Sequence, residues 1–241
     1  MRIYLTLVAM LLVAACTKTN QSDAHAATGA QENGASNAAG PAPAPTAGLT
    51  GLAGRTGELA NPDATTMVFL YYELARMPPP IDNWVEDDRR VRSAPAPDKA
   101  AQRTAVRTEL EFGADAVRGV GFIRLPLHAN LSDYDPTYGE FTVRALAPSS
   151  VVSFDALGQK LSLKFGNGRN AQIWRVAQAD AQAIRDKIGY GYGSVSLDAL
   201  LRITAVQPGP GGGTITADVV EYELREDRSG VTLARVQVAQ K

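Results

Sequence analysis

Asp133-Tyr134-Asp135, followed shortly by Glu140, is the most noticeable group of acidic side chains in this sequence. Two carboxylates at a set separation can share the acid and base roles of glycosidic bond cleavage. Hard oxygens in a loop can also hold calcium. The spacing of an EF-hand loop is absent, and Pro136 interrupts the run. A turn between strands, with Asp and Pro setting the local backbone, accounts for the same residues more simply. His128 is the one histidine of the folded region, so a Ser-His-Asp site would have to use it. Ser132 and Asp133 are only its sequence neighbours, and no G-x-S-x-G elbow is present. Zinc needs several His or Cys ligands, and the chain has two histidines and one cysteine.

Two glycine-rich runs remain, Gly189-Tyr190-Gly191-Tyr192-Gly193 and Gly209 to Gly213. Neither has the Lys-Ser/Thr ending of a phosphate loop or the spacing of a dinucleotide turn. They read as a helix exit and a hairpin loop, with Tyr190 and Tyr192 offering rings to a sugar or a partner surface. No catalytic, cofactor-binding or metal-binding residue is assigned, and no cofactor is expected.

Charge is balanced, with 24 Lys+Arg against 25 Asp+Glu. The one arginine cluster, Arg89, Arg90 and Arg92, directly follows Glu86, Asp87 and Asp88, so its field largely cancels. Nucleic-acid binders carry a basic stripe; this sequence lacks one, and no nucleic-acid partner is expected.

The single cysteine, Cys16, closes an apolar run over residues 3–15 that is preceded by Arg2. A helix of that length spans only ~20 Å, too short for the ~30 Å hydrocarbon core, which suits a signal segment rather than a membrane span. Val13-Ala14-Ala15-Cys16 resembles the lipobox of bacterial lipoproteins. The resemblance implies diacylglycerol on the Cys16 sulfur, cleavage before Cys16 and acylation of the new amino group. Each buried methylene contributes ~0.8 kcal/mol, so two or three acyl chains make a lasting membrane anchor where one would not. Thr17, rather than Asp, follows the cysteine, which by the sorting pattern of such lipoproteins implies the outer membrane with the domain facing the periplasm. Leu131-x-x-Tyr134-Asp135 ahead of Phe141, with a helix before the last strands, is loosely similar to uncharacterised periplasmic lipoprotein domains. Such families bring no active site to transfer.

Residues 16–60 are rich in Ala, Gly, Ser, Asn, Thr and Pro and contain no aromatic residue. That composition cannot bury enough apolar surface to offset chain entropy, so a disordered tether is expected, with a span of roughly 35–40 Å. Residues 61–241 form one expected domain, a size that buries a substantial core.

Within that domain, Asn61-Pro62-Asp63 reads as a helix start with Asn61 as cap, and Met67, Leu70, Tyr71 and Leu74 form one apolar stripe. Residues 81–97 read as a loop anchored by Trp84. Residues 98–107 read as a weaker helix, capped by Asp98 and facing Ala101, Ala105 and Val106 inward. From Glu109 the expectation turns to strands: 109–112, 119–127, 138–146 and 151–154. Leu161, Leu163 and Phe165 alternate ahead of Gly166-Asn167-Gly168, a hairpin signal with a return strand over 171–176. Residues 178–188 read as helix, ended by Gly189. Three strands close the chain as a meander, with changes of phase at Val219–Val220 and between Leu233 and Val236. Such changes mark bulges or strands buried on both faces. The fold class is α+β, with a mainly antiparallel sheet and a few packing helices.

These features point to a lipid-anchored envelope protein, held to the membrane through Cys16, whose domain binds an envelope protein or peptidoglycan without evident catalysis. Two alternatives stand beside it: a cell-wall glycan hydrolase using Asp133, Asp135 or Glu140, and a carrier of a small apolar ligand.

Overall fold

The computed structural model describes residues 52–188 and 194–239. Cys16 with the apolar run before it, most of the stretch read as a tether, and Gly189, Tyr190 and Tyr192 lie outside the described residues. In chain order the elements are β1 (Gly57–Ala60), α1 (Ala64–Ala75), α2 (Ile81–Asp87), α3 (Arg89–Ser93), α4 (Lys99–Ala116), β2 (Val120–Asn130) and β3 (Glu140–Thr142). A 3-10 turn at Arg144–Leu146 follows, then β4 (Val151–Ala156), β5 (Gln159–Phe165), α5 (Gly168–Ala171) and β6 (Ile173–Arg175). The remainder is α6 (Gln178–Ile188), β7 (Ser194–Gly209), β8 (Gly212–Glu226) and β9 (Thr232–Gln237). No described helix is long and apolar enough to cross a membrane.

The strict alternation of Val195, Leu197, Ala199, Leu201 and Ile203 sets the centre of the fold. All five are buried, which fixes one face of β7 against the core. β7 returns at Pro210-Gly211 as β8, and the two pair antiparallel along their length. Val220 and Thr204 are extra residues in this ladder, at its two shifts of register. The sequence's change of phase at Val219–Val220 is therefore a bulge: Val219 is buried before it, Tyr222 and Leu224 after it. β9 pairs antiparallel with the second half of β8, with Leu233 extra at a third shift.

The protein is α+β, and its main sheet is mixed. The order is β1-β2-β7-β8-β5-β4, with β9 beside β8. β1 runs parallel to β2 and β5 parallel to β8, while the other pairs are antiparallel. Pro126 lies in β2 beyond the stretch that β1 pairs, so its missing N–H costs no ladder bond on that side. β3 and β6 form a separate two-stranded ribbon.

Several expectations are corrected. The folded part starts earlier than residue 61, because β1 lies in the stretch read as tether and Leu52 packs on the core. The cap of α1 is Asp63, which accepts from the Thr66 amide at 2.7 Å; Asn61 instead takes φ +48°. Residues 81–97 hold two short helices, not a loop. Trp84 is their anchor, edge-on to Phe69 at 5.9 Å and Tyr72 at 5.4 Å.

α4 runs through the alternating Glu109-Leu110-Glu111-Phe112, which is no strand. Its Asp98 cap makes no side-chain bond, Ala101 and Ala105 face out, and Val106 faces in. Arg90 fixes its outer side through Glu109 at 2.7 Å, and Arg103 through Glu86 at 2.7 Å. The expected strand over 138–146 shortens to β3 and the 3-10 turn.

The Asn167-Gly168 hairpin does not form. β5 has its hairpin partner in β4, through Leu157-Gly158, and its other side is taken by β8. The chain must therefore leave the sheet after Phe165. Asn167 takes over where the strand stops: its amide donates to Val219 O at 2.8 Å and accepts from Val219 N at 2.9 Å. The return strand becomes β6, paired with β3 instead.

α1 lies across β4, β5 and β7 with α4 behind it, which is why Val68 and Phe69 are buried beside the predicted stripe. The Tyr71 hydroxyl donates to Gly212 O at 2.7 Å and ties this helix to the β7–β8 turn. Gly212 has φ +149°, and a Cβ there would sit 1.9 Å from Lys160 O, so only glycine lets β5 enter beside β8.

Candidate functional site

The carboxylates that stood out in the sequence are set to separate tasks. Asp135 accepts from the amides of Thr137 at 2.8 Å and Tyr138 at 3.3 Å, an Asx turn that closes the loop back onto Glu140. Asp133 is almost fully exposed and pairs with Arg185 of α6 at 3.0 Å. Glu140 begins β3 and lines a cleft. Among the described residues no three His, Cys, Asp or Glu side chains gather as a metal site would require. Ser132 is used locally, donating to Asp133 O at 2.7 Å and accepting from the Thr142 amide at 2.8 Å. His128 is exposed on β2, with Nδ1 3.6 Å from Asp227. Tyr134 is structural: its hydroxyl donates to Val176 O at 2.9 Å, and its ring lies 5.2 Å from that of Phe141.

The cleft that Glu140 lines has a volume of about 550 Å³ and separates β9 from the β3–β6 ribbon and α5. The sequence builds it in two parts. The ribbon is held by the stacking of Phe141 on Trp174, ring centres 5.3 Å apart, with both rings buried. β9 is held by β8, and the edge strand's alternation sends Val236 and Arg235 to opposite faces.

Three guanidinium groups, Arg169, Arg175 and Arg235, line the cleft against the single carboxylate of Glu140. Arg169 and Arg175 are exposed, and neither has an ion-pair partner among the described residues. Arg235 is positioned by Glu223 at 2.8 Å. The Glu223 carboxyl is held below its usual range by the Thr232 hydroxyl, then by Arg225 and Arg235, so it stays ionised and keeps that arginine in place. Trp174, Ile173, Val236 and Val238 give the cleft its apolar part.

Other grooves are less suited to a polar ligand. On the outer sheet face Arg124 is already paired, with Glu58 at 2.9 Å, Glu221 at 3.6 Å and Asp198 at 3.7 Å. A smaller groove of about 230 Å³ between α1 and α4 is lined by Phe69, Tyr72 and Met77 together with Glu73, Glu111, Asp115 and Arg118.

Sequence reasoning missed the cleft arginines. They come from α5, β6 and β9, and each looks locally like an ordinary exposed strand or turn arginine. The only local signal is Arg175 beside the buried Trp174, a charged residue next to a large aromatic anchor.

Compared with protein-family models, with curated proteins and with solved structures, the chain matches none.

Proposed function

We propose that this is a lipid-anchored cell-envelope protein whose folded domain is a binding module and not a catalyst. The observation that carries the reading is the charge of the 550 Å³ cleft, where Arg169 and Arg175, without ion-pair partners among the described residues, outnumber the one carboxylate of Glu140. A glycan hydrolase needs two convergent carboxylates, whereas Asp135 is spent on backbone amides and Asp133 on Arg185. A carrier of an apolar ligand needs a dry cavity, and this cleft is rimmed by charge. In this reading the last three strands act as one meander that presents its outer edge to the cleft. Cys16 holds the domain at the outer membrane, facing the periplasm, and the Ala-, Gly- and Pro-rich stretch behind it sets the reach.

Affinity capture from detergent-solubilised envelopes tests the reading, together with fractionation of Cys16→Ser. A specific envelope component should co-purify with the wild type, and Cys16→Ser should leave the membrane fraction while remaining folded. Turnover of cell-wall glycan that is lost in Asp133→Asn, Asp135→Asn or Glu140→Gln would replace this reading with the hydrolase one.

A further inference from the structure

The cleft is bounded by two strand edges as well as by arginines. Val238 N donates to Val220 O at 2.9 Å. In an antiparallel ladder, inward and outward backbone groups alternate. The N–H and C=O of Arg235 and Gln237 therefore point away from β8, and among the described residues β8 is the only strand that pairs β9. Across the cleft, Val176 N donates to Gly139 O at 2.9 Å and Val143 N to Gln172 O at 2.7 Å. The same alternation turns the backbone of Ile173 and Arg175 away from β3, and β6 has no second strand partner among the described residues. All four residues line the cleft.

We propose that the cleft binds an acidic segment of a partner protein in extended form, added as a further strand to the free edge of β9. This assignment rests on the reading of the domain as a binding module. Strand addition takes its affinity from main-chain hydrogen bonds and its specificity from alternate side chains. A strand in register with β9 places every second side chain on the face of Val236 and Val238, and the others on the face of Arg235 and Gln237. It therefore favours a chain whose side chains alternate in character, and its acidic residues answer the unpaired Arg169 and Arg175, because Arg235 and Gln237 are already bound to Glu223 and Glu221.

The excess of guanidinium over carboxylate selects against a basic segment, and the planar fork of each arginine matches a carboxylate in two-point contact. An edge open to bulk solvent invites pairing with any strand. Here residues of the ribbon and α5 line the other side of the cleft, opposite the edge.

The test uses the full-length protein in detergent and three labelled synthetic peptides read by fluorescence anisotropy. One alternates Glu and Val, one alternates Lys and Val, and one is the Glu-Val peptide with alternate amides N-methylated. The Glu-Val peptide should bind, and the other two should bind more weakly by about tenfold or more, as should the Glu-Val peptide to Arg169→Ala/Arg175→Ala. In the complex, hydrogen exchange should slow at the amides of Arg235 and Gln237 and stay unchanged at Asp155 in β4.

Equal binding of the Lys-Val or the N-methylated peptide would overturn the proposal, as would unprotected Arg235 and Gln237 amides. So would a soluble peptidoglycan fragment that displaces the Glu-Val peptide and binds more tightly. Capture of an envelope protein that is unaffected by Arg169→Ala/Arg175→Ala would leave the binding module standing and overturn only its assignment to this cleft.

Discussion

The entry of β5 beside β8 depends on one atom that Gly212 lacks, and neighbouring Gly211 supplies the control. A Cβ on Gly212 would lie 1.9 Å from Lys160 O, 2.7 Å from Lys160 C and 2.9 Å from Lys160 N, all backbone atoms that cannot rotate away. Gly212→Ala must therefore shift β5 by more than an ångström at the start of a parallel ladder running from Lys160↔Gly212 to Phe165↔Ala217. Overpacking of this kind costs about 1–3 kcal/mol, and a φ near the glycine-only region adds about 1–3 more. Gly211 also has a positive φ, +66°, but open space at its Cβ.

Gly211→Ala should cost only the left-handed term, ~1–2 kcal/mol, less ~0.4–1 for the stiffer unfolded chain. The expected difference between the two variants is roughly 3 kcal/mol, or about 6–12 °C in Tm for a domain of this size. Trp84 and Trp174 are both buried, so urea unfolding followed by tryptophan fluorescence reads the comparison. If the two alanine variants unfold within about 1 kcal/mol of each other, β5 and β8 do not approach as described.

Three other changes probe separate joints of the fold. Asn167→Ala removes both bonds to the Val219 backbone and should cost about 2–4 kcal/mol by denaturant unfolding, with little change in circular dichroism. Tyr71→Phe removes a buried bond of 2.7 Å to Gly212 O and should destabilise by about 1–3 kcal/mol. Tyr222→Phe should be neutral or stabilising by up to about 1 kcal/mol, because that hydroxyl is buried without a hydrogen-bond partner among the described residues. Glu226 closes the β8–β9 turn, and its carboxyl is held below its ordinary 4.5 by hydrogen bonds from Ser229 and from the Arg228 amide. A lowered folded value means stability that is present above pH 4.5 and lost as pH falls through the lowered value. Wild-type stability should therefore fall more steeply than that of Glu226→Gln when unfolding is measured from pH 5 down to pH 3.

What was legible in the sequence was local and periodic. The stripe Met67, Leu70, Tyr71, Leu74 and the alternation from Val195 to Ile203 each fix a buried face without help from distant residues. The bulge at Val220 was legible for the same reason, since it is a break in a period. The failures have a common cause. Asn167-Gly168 carries a strong local turn signal, but the side of β5 that a return strand would need is already occupied by β8, a partner far along the chain. Glu109 to Phe112 alternates, yet only Leu110 packs on the core while Phe112 is 76% exposed. Helix propensity and the Arg90–Glu109 pair override that alternation. The cleft was illegible because its walls come from Glu140, the stretch from Arg169 to Arg175, and β9, joined only by the tertiary fold. The acidic residues around Asp133 are adjacent in sequence, but that adjacency serves a turn.

Site-specific photo-crosslinking in living cells tests the central claim most directly, with the crosslinker placed at Asn170 in the cleft or at Asp155 on β4, outside it. Asn170 should give a discrete protein adduct and Asp155 none of that size, and the adduct should be lost when Arg169 and Arg175 are both alanine. The same adduct from Asp155, or none from Asn170, would contradict the claim.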